Sequence, residues 1–339
     1  MLSPVAWPTP PTGYGPWEQV AANIADGLVK RGYDVTVFAT ADSNPPGKLH
    51  AICPKPYELD KSINPDVWMP MHIAECFEHA DEFDLIHNHC DFRALVFSRL
   101  VNTPVLTTIH GFSSPSIYPA YEKYNDNTWY VSISDADRYE KLDYVATVYN
   151  GIDLSQFTFR EKPGDYLLFI GRIHYEKGCA EAIRIAKAAG KQLIIAGFVQ
   201  QEDYFRQHVE PYIDNKQIQF IGPVDAPKRD ELMGGALAVL HPVMLPERFG
   251  LVMTESMACG TPVIAFDKGS PREVIRHGET GFVVEDVDAA VEAVAKVHEI
   301  DRHACRQHVA ERFTLEKMVD GYEQAYRQVL NEHRAGQND

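Results

Sequence analysis

The segment from Glu247 to Pro262 carries two carboxylates, Glu247 and Glu255, eight positions apart around a Phe-Gly turn and at the start of a predicted helix. Carboxylates accept hydrogen bonds from hydroxyl groups, and the first N–H groups of a helix point outward and attract an anion. A sugar that carries a diphosphate is a ligand that requires both. Taken alone, the two acids are equally compatible with a glycosidase pair, a metal site or simple helix capping.

A second segment, from Phe169 to Gly178, places two cations five positions apart between a predicted strand and the next helix. The Arg172 guanidinium can donate two parallel hydrogen bonds to phosphate oxygens, and the Lys177 ammonium adds a compact positive charge. Such a pair usually belongs to a solvated surface. Its position at the carboxyl end of a strand, where open α/β sheets bind ligands, favours a phosphate site.

Near the start of the chain, the segment from Thr12 to Val20 is a glycine loop that runs into a helix. Gly15 would let the backbone approach a phosphate, but a tight strand-to-helix turn uses glycine equally often. Pro16 removes one N–H group from the loop. The aromatic side chains of Tyr14 and Trp17 could stack on a sugar ring or pack in the core.

Three histidines follow predicted strands: His87, His89 and His110. A metal or nuclease site is not supported, because acidic partners at suitable spacing and a basic surface are missing. We expect His110 to be a hydrogen-bonded histidine of the site and His89 to be structural, and we leave His87 open between the two roles. We therefore expect no metal site.

Short apolar, β-branched runs alternate with amphipathic helical stretches. The predicted strands are residues 34–39, 85–87, 105–109, 129–133, 144–148, 166–170, 192–196, 218–221, 238–240 and 263–266. This alternation predicts parallel sheets flanked by helices, in two doubly wound Rossmann-like domains that face a shared cleft.

The domain boundary is predicted after Asn150-Gly151-Ile152-Asp153, because a short segment that is charged and rich in turn-forming residues follows. We expect an N-terminal domain over residues 1–155 and a C-terminal domain over 163–314. A C-terminal helix over 315–335 should pack back toward the first domain through one apolar face. Since Met1-Leu2-Ser3 reaches a proline at once, we expect a truncated first strand.

Composition narrows the functional classes. The 339 residues include 32 basic and 48 acidic side chains, a net charge of -16, which argues against binding to nucleic acid or strong association with anionic membranes. The six scattered cysteines, and the absence of an apolar run of about 18 residues or an export signal, predict a cytoplasmic protein. Nothing in the sequence indicates an oligomeric state.

The motifs in order resemble the retaining nucleotide-sugar glycosyltransferases of family four, also called group 1, which have the GT-B architecture. The resemblance spans nearly the whole chain, and its most specific part is the E-x7-E segment. The motifs are Gly15 to Glu18, His110-Gly111, Ser132-Ile133-Ser134, Tyr149 to Asp153, Gly171-Arg172 with Lys177-Gly178, Phe220-Ile221-Gly222, and Glu247 to Pro262.

The resemblance implies that the domain over residues 1–155 binds the acceptor and that the domain over 163–314 binds the donor. It also implies roles for the two acids and for the turn between them. Glu255 matches the residue that binds the donor ribose, and Glu247 matches the residue that binds the donor sugar. The turn would present its backbone to the sugar and phosphate, with the helix N-terminus stabilising the leaving diphosphate. The residues of this turn are Phe249, Gly250, Leu251 and Val252.

The remaining roles implied by the resemblance concern charge, base and acceptor. Arg172 and Lys177 match the pair that neutralises the diphosphate without a metal, and no further cofactor is required. His110 matches a residue near the reacting carbon, and Val224 matches a backbone contact to the base. The family loop usually reads Gly-Gly-x-Glu where this chain has Gly15-Pro16-Trp17-Glu18, so Tyr14 and Trp17 could line the acceptor site.

The implied function is transfer of a hexose, with retention, from a UDP-, GDP- or ADP-hexose to a hydroxyl group. Residues 1–160 hold 11 basic and 20 acidic residues, which favours a soluble or diffusible acceptor. The alternatives are a nucleotide-sugar hydrolase or epimerase on the same fold, and a non-catalytic nucleotide-sugar-binding protein.

Overall fold

Parallel strands alternate with helices along the chain, as the sequence predicts. This computed structural model describes residues 1–336. Within that range the strands are β1 (Thr36–Phe38), β2 (Lys48–His50), β3 (Ile86–Asn88), β4 (Val105–Ile109), β5 (Trp129–Ser132), β6 (Tyr144–Thr147), β7 (Tyr166–Ile170), β8 (Gln192–Ala196), β9 (Ile218–Gly222), β10 (Ala238–His241), β11 (Val263–Phe266) and β12 (Gly281–Val284). The α-helices are α1 (Pro16–Lys30), α2 (Pro65–Glu78), α3 (Tyr118–Tyr124), α4 (Cys179–Ala188), α5 (Glu202–His208), α6 (Ala226–Gly235), α7 (Leu251–Ala258), α8 (Pro271–Val274), α9 (Val287–Lys296), α10 (Arg302–Arg312) and α11 (Leu315–Gly336).

The predicted strands are confirmed, with ends that differ by at most two residues. The sequence analysis does not predict β2 or β12. β2 is three residues long and has one apolar side chain, Leu49, between Lys48 and His50. β12 begins at a glycine. The apolar run of β12 is limited to the three residues that follow this glycine, Phe282, Val283 and Val284.

The chain divides into two compact units. Unit 1 comprises Met1–Asn150 together with the chain from Leu315 onward, and unit 2 comprises Gly151–Thr314.

The sheet of unit 1 is joined through the first residues of the chain. β3, β4, β5 and β6 form a parallel four-stranded ladder, and β1 pairs with β2. Leu2 bridges the two parts, since it pairs with Phe38 on one side and Asn88 on the other. The Leu2 N–H donates to the His87 carbonyl at 2.8 Å, and the Ser3 N–H donates to the Phe38 carbonyl at 3.0 Å. The first strand is thus very short but hydrogen-bonded on both sides.

Helix α11 packs beside α1 within unit 1. Both helices contribute buried apolar side chains to one core cluster with the sheet, including Ile24 of α1 and Val319 of α11. At the surface, Arg31 donates hydrogen bonds to Asp320 and Glu323, each at 2.6 Å. The aromatic and apolar face predicted for the last helix is therefore buried in this unit.

Unit 2 is a six-stranded parallel sheet in the order β12-β11-β10-β7-β8-β9. The chain runs outward from β7 through β8 to β9, then returns to β10 on the other side of β7 and continues to β12. Strand order therefore reverses between β7 and β10. In open α/β sheets this reversal opens a crevice at the carboxyl ends of the strands, where ligands bind.

Candidate functional site

The loops that follow β7 and β10 meet at the point where strand order reverses. Lys177 lies in the loop after β7, and its Nζ atom is 2.5 Å from Oε2 of Glu247, in the loop after β10. His241, the last residue of β10, brings its Nε2 atom to 3.0 Å from the same oxygen. An ionised carboxylate only accepts hydrogen bonds, so Nε2 carries the proton in this contact. We call these three residues the Glu247 cluster.

Tight backbone contacts hold this cluster in place. Gly178, directly after Lys177, has a φ of 72°, and a Cβ atom there would lie 1.8 Å from the Pro242 carbonyl oxygen. Only glycine lets the two loops come this close. On its other side, the Glu247 N–H donates to the Lys268 carbonyl at 2.9 Å, and the Ser270 N–H donates to the Glu247 carbonyl at 3.0 Å. Three loops of the sheet therefore fix Glu247.

The Glu247 cluster keeps its carboxylate ionised. Burial alone would raise the pKa of Glu247, but the hydrogen bond from His241 and the positive charge of Lys177 outweigh burial and lower the pKa well below its usual range. Oε2 accepts from both of these partners, whereas Oε1 accepts one longer hydrogen bond, from the Arg248 N–H at 3.3 Å. A carboxylate offers about four acceptor positions, so Oε1 retains capacity for a ligand hydroxyl.

Helix α7 begins directly after the Phe-Gly turn. Gly250 is its N-cap residue, with a φ of 78°, and a Cβ atom there would lie 3.1 Å from Glu247 Cγ. Phe249 is a core residue, 2% exposed, whose ring lies 5.8 Å from that of Phe313. Leu251 and Val252 are the first two residues of α7. The first N–H groups of a helix lack acceptors within the helix, so this end of α7 can donate hydrogen bonds to a ligand.

Glu255 lies one turn further along α7 and has a different partner. Its Oε1 atom is 3.3 Å from Nη1 of Arg229, a residue of α6. Burial raises the pKa of Glu255, and the charge of Arg229 opposes that rise. The Nε atom of Arg229 is buried and has no hydrogen-bond partner among the described residues. Native structures rarely leave such a donor unsatisfied unless a ligand or water completes it.

Arg172 and Val224 follow two strands of the same sheet, β7 and β9, which are separated by β8. Arg172 follows β7 and donates a hydrogen bond to Oε1 of Gln200 at 2.5 Å, in the loop after β8. Val224, half-buried, follows β9 by two residues. Lys177 and Glu247 are thus in direct contact, whereas Arg172 is tied to the loop after β8.

Unit 1 brings His110 and Trp17 together. The ring of Trp17 stacks on that of His110, with centroids 5.2 Å apart and planes inclined by 16°. His110 Nε2 shares a hydrogen bond of 2.9 Å with His89 Nδ1. Burial lowers the pKa of His110 to about 3, so the imidazole is neutral at neutral pH and acts as a hydrogen-bonding group.

His87 is a satisfied structural group. Its Nδ1 atom is 2.7 Å from the Tyr326 hydroxyl, and its Nε2 atom is 2.7 Å from the Thr108 hydroxyl. Both ring nitrogens are therefore occupied, and the residue connects the sheet of unit 1 to α11.

The glycine loop is closely packed. A Cβ atom at Gly15 would lie 2.8 Å from the Pro11 side chain and 3.0 Å from that of Trp7, so the turn itself requires this glycine. Tyr14 is 46% exposed and lies edge-on to the Trp7 ring at 5.9 Å. Glu18 is buried and accepts a hydrogen bond from the Trp7 N–H at 3.1 Å.

Family models match both parts of the chain. Residues 153–312 match the model described as glycosyl transferases group 1, and residues 17–156 match the model described as glycosyltransferase family 4. The chain belongs to the group 1 glycosyltransferases of family four.

Curated relatives of this glycosyltransferase include two enzymes of known reaction. Glycogen synthase of Mycobacterium tuberculosis is 25% identical over 90% of this chain and 87% of its own length. The N-acetyl-alpha-D-glucosaminyl L-malate synthase of Bacillus anthracis is 24% identical over 94% of this chain and 95% of its own.

Solved structures show the same fold. Sucrose-phosphate synthase of Thermosynechococcus elongatus superposes with a TM-score of 0.79 at 19% identity, covering 98% of both chains. HepE of Anabaena, solved with UDP, superposes with a TM-score of 0.73 at 18% identity, covering 93% of this chain and 96% of that one. This glycosyltransferase therefore has the GT-B fold, built from two Rossmann-like parallel-sheet domains. No helix among residues 1–336 is both long and apolar enough to cross a membrane.

Sequence reasoning missed two residues of the candidate site in this glycosyltransferase. His241 lies one position beyond the predicted end of its strand. Its polar side chain at a strand end is the sequence signal that could have identified it. Arg229 lies within α6, and only the fold brings it to Glu255. No local pattern marks Arg229.

Proposed function

We propose that the protein is a retaining hexosyltransferase that moves a hexose from a nucleoside-diphosphate sugar to a hydroxyl group of a soluble or diffusible acceptor. The observation that carries this proposal is the Glu247 cluster, in which a lysine, a histidine and an ionised carboxylate converge at the switch point of unit 2. The cluster stands directly before the N-terminus of α7. A sugar-binding carboxylate and a phosphate-binding cation thus lie side by side.

The phosphate side of the proposed donor site rests on Lys177. Its ammonium group has three N–H donors, and Glu247 takes one of them at 2.5 Å, which leaves two for phosphate oxygens. The first N–H groups of α7 add partial positive charge beside it. Arg172, which follows the same strand β7, supplies a second cation. These groups would stabilise the charge that develops on the leaving diphosphate, a role that needs no metal ion or other cofactor.

The sugar side of the donor site rests on Glu247. Because its pKa is held well below the usual range, this carboxylate is a poor proton acceptor near neutral pH and is unsuited to general acid–base catalysis. Its remaining acceptor capacity at Oε1 suits a sugar hydroxyl. These properties favour positioning of the hexose over the proton-shuttling role of a glycosidase acid.

The nucleoside side of the donor site rests on Glu255. A carboxylate can accept hydrogen bonds from both ribose hydroxyls. Burial raises the pKa of Glu255, and the nearby charge of Arg229 opposes that rise. A nucleotide is also a candidate partner for the buried, unpaired Nε atom of Arg229. Solved complexes of HepE with UDP and with UDP-glucose support a nucleoside-diphosphate donor. The base is one of uracil, guanine or adenine, with Val224 as a backbone contact.

The acceptor side of the proposal rests on unit 1. The stacked pair of Trp17 and His110 offers an aromatic face beside a neutral hydrogen-bonding group, and exposed Tyr14 adds a second aromatic ring. In the proposed reaction the bond from the anomeric carbon to the phosphate oxygen breaks. The acceptor oxygen bonds to the same face of that carbon, and its proton passes to the departing phosphate. The configuration at the anomeric carbon is thereby retained.

A donor screen tests this function. Release of nucleoside diphosphate would be measured from UDP-, GDP- and ADP-hexoses, with acceptor mixtures analysed by mass spectrometry. We expect release from one donor only when an acceptor is present, and loss of release in Lys177→Ala but not in Lys162→Ala, which removes an exposed lysine of the same unit. Equal release without any acceptor would instead identify a hydrolase, and conversion of the donor to an isomeric sugar nucleotide without net release would identify an epimerase. Nucleotide binding without any turnover would identify a non-catalytic binding protein.

A further inference from the structure

Two histidines and a glutamate converge on the surface of unit 1, and none of the three is among the residues proposed for donor or acceptor binding. His50 ends β2, Glu75 lies in the last turns of α2, and His79 follows α2 directly. One nitrogen or oxygen donor atom of each residue lies within 4.8 Å of the others. We propose that His50, Glu75 and His79 bind a zinc ion.

The spacing of the donor atoms suits tetrahedral zinc. Nε2 of His50 is 2.8 Å from Oε1 of Glu75, and Nε2 of His79 is 3.4 Å from the same oxygen. Zinc bonds to nitrogen and oxygen are about 2.0 to 2.2 Å long, which places neighbouring tetrahedral ligands roughly 3.3 Å apart. The three side chains therefore need only small rotations to enclose the ion. Two imidazoles and one carboxylate leave a fourth position for water, as in open zinc sites.

A second carboxylate orients one of the ligands. Nδ1 of His79 lies 2.6 Å from Oε1 of Glu82, while its Nε2 faces Glu75. A metal-bound histidine commonly donates its other ring N–H to a carboxylate, which fixes its tautomer and orientation. This pairing distinguishes the cluster from a simple group of surface ion pairs, because each nitrogen of His79 already has the partner that metal ligation requires.

The fold preorganises the three ligands. Glu75 and His79 are four positions apart, so they project from the same side of α2. The imidazole of His50 is stacked on the ring of buried Phe38 at a centroid distance of 4.6 Å, which limits its orientations. A bound zinc ion would join β2, the strand that pairs with β1, to α2. We therefore expect zinc to stabilise unit 1.

Zinc binding by the chelator-stripped full-length protein tests this proposal. Zinc sulfate would be titrated against a chromophoric competitor, and cobalt would be substituted to record its ligand-field absorption. We expect one equivalent of zinc, an intense tetrahedral cobalt spectrum, and a melting temperature that rises by roughly 5 °C or more at zinc concentrations about 100 times the dissociation constant. Glu75→Gln and His79→Ala should each abolish the cobalt spectrum.

Two further variants separate ligation from folding. Glu82→Gln changes an exposed side chain and should fold normally, yet it should weaken zinc binding by about 10-fold or more because the orienting partner is lost. His303→Ala removes an exposed histidine that lies 4.0 Å from Glu161 in unit 2, and it should leave binding unchanged. Zinc affinity that is the same in Glu75→Gln, Glu82→Gln and the unaltered protein would overturn the proposal, as would a stoichiometry near zero.

Discussion

Replacement of Glu18 by glutamine should change how the stability of unit 1 depends on pH. Glu18 is 2% exposed, and burial raises its pKa to about 7, although backbone hydrogen bonds at Glu18, Trp7 and Ala6 oppose the rise. The folded protein therefore holds a proton on this carboxyl group at pH values where the unfolded chain, with an ordinary pKa of 4.5, has lost it. By linkage, the stability from this group is fully present below about pH 4.5 and is lost as pH rises to 7.

The size of the effect follows from the shift. A difference of about 2.5 pKa units, at about 1.36 kcal/mol per unit, corresponds to about 3 kcal/mol. Glutamine keeps the oxygen that accepts from the Trp7 N–H but does not titrate. The free energy of unfolding of the unaltered protein should therefore fall by about 3 kcal/mol relative to Glu18→Gln between pH 4.5 and 7, and the difference should level off above that range.

Urea unfolding followed by tryptophan fluorescence measures this difference. All four tryptophans belong to unit 1, so the signal reports the unit that contains Glu18. Glu78→Gln, which removes an exposed carboxylate from the same unit, serves as the control and should parallel the unaltered protein across the pH range. If the curves of Glu18→Gln and the unaltered protein also run parallel from pH 4.5 to 7, burial does not perturb Glu18 and the reasoning fails.

Three further predictions concern unit 2. Lys177→Ala removes the cation beside Glu247 and should lower the rate constant for nucleoside-diphosphate release by about 100- to 1000-fold in steady-state assays; a change within a factor of two would exclude it from the phosphate site. Glu255→Ala should weaken nucleoside-diphosphate binding in calorimetry by about 10- to 100-fold, because two hydrogen bonds to a charged group are lost, and an unchanged affinity would contradict the ribose contact. Gly178→Ala forces a Cβ atom into the Pro242 carbonyl at a positive φ and should destabilise unit 2 by about 3 kcal/mol or more in thermal unfolding, whereas an unchanged melting temperature would show that the two loops can separate.

The sequence predicts well those features that depend on local patterns. Apolar runs located the strands other than β2 and β12, and helix signals located α1 and α11. The periodicity of a strand or a helix can be recognised within one continuous segment of sequence. The position of Lys177 after a strand and that of Glu247 before a helix also followed from this pattern. Their direct contact depends on the order β10-β7-β8, which no local pattern reveals.

The features that the sequence does not predict depend on contacts between distant segments. His241 completes the Glu247 cluster only because β10 lies beside β7. The histidine pattern drew attention to the strand ends at His87, His89 and His110, whereas the candidate zinc ligands come from β2 and α2. β2 has too little apolar character to be recognised, so His50 could not be placed beside Glu75 before the fold was known.

Calorimetry can separate the phosphate role of Lys177 from the sugar role of Glu247. Dissociation constants for a nucleoside diphosphate and for its hexose conjugate would be measured in Glu247→Gln and in Lys177→Ala. If Lys177 binds phosphate and Glu247 binds the sugar, Lys177→Ala weakens binding of both compounds. Glu247→Gln then weakens binding of the sugar nucleotide but not of the nucleoside diphosphate. Equal losses for both compounds in Glu247→Gln, or no loss in either variant, would contradict the assignment of the Glu247 cluster as the donor site.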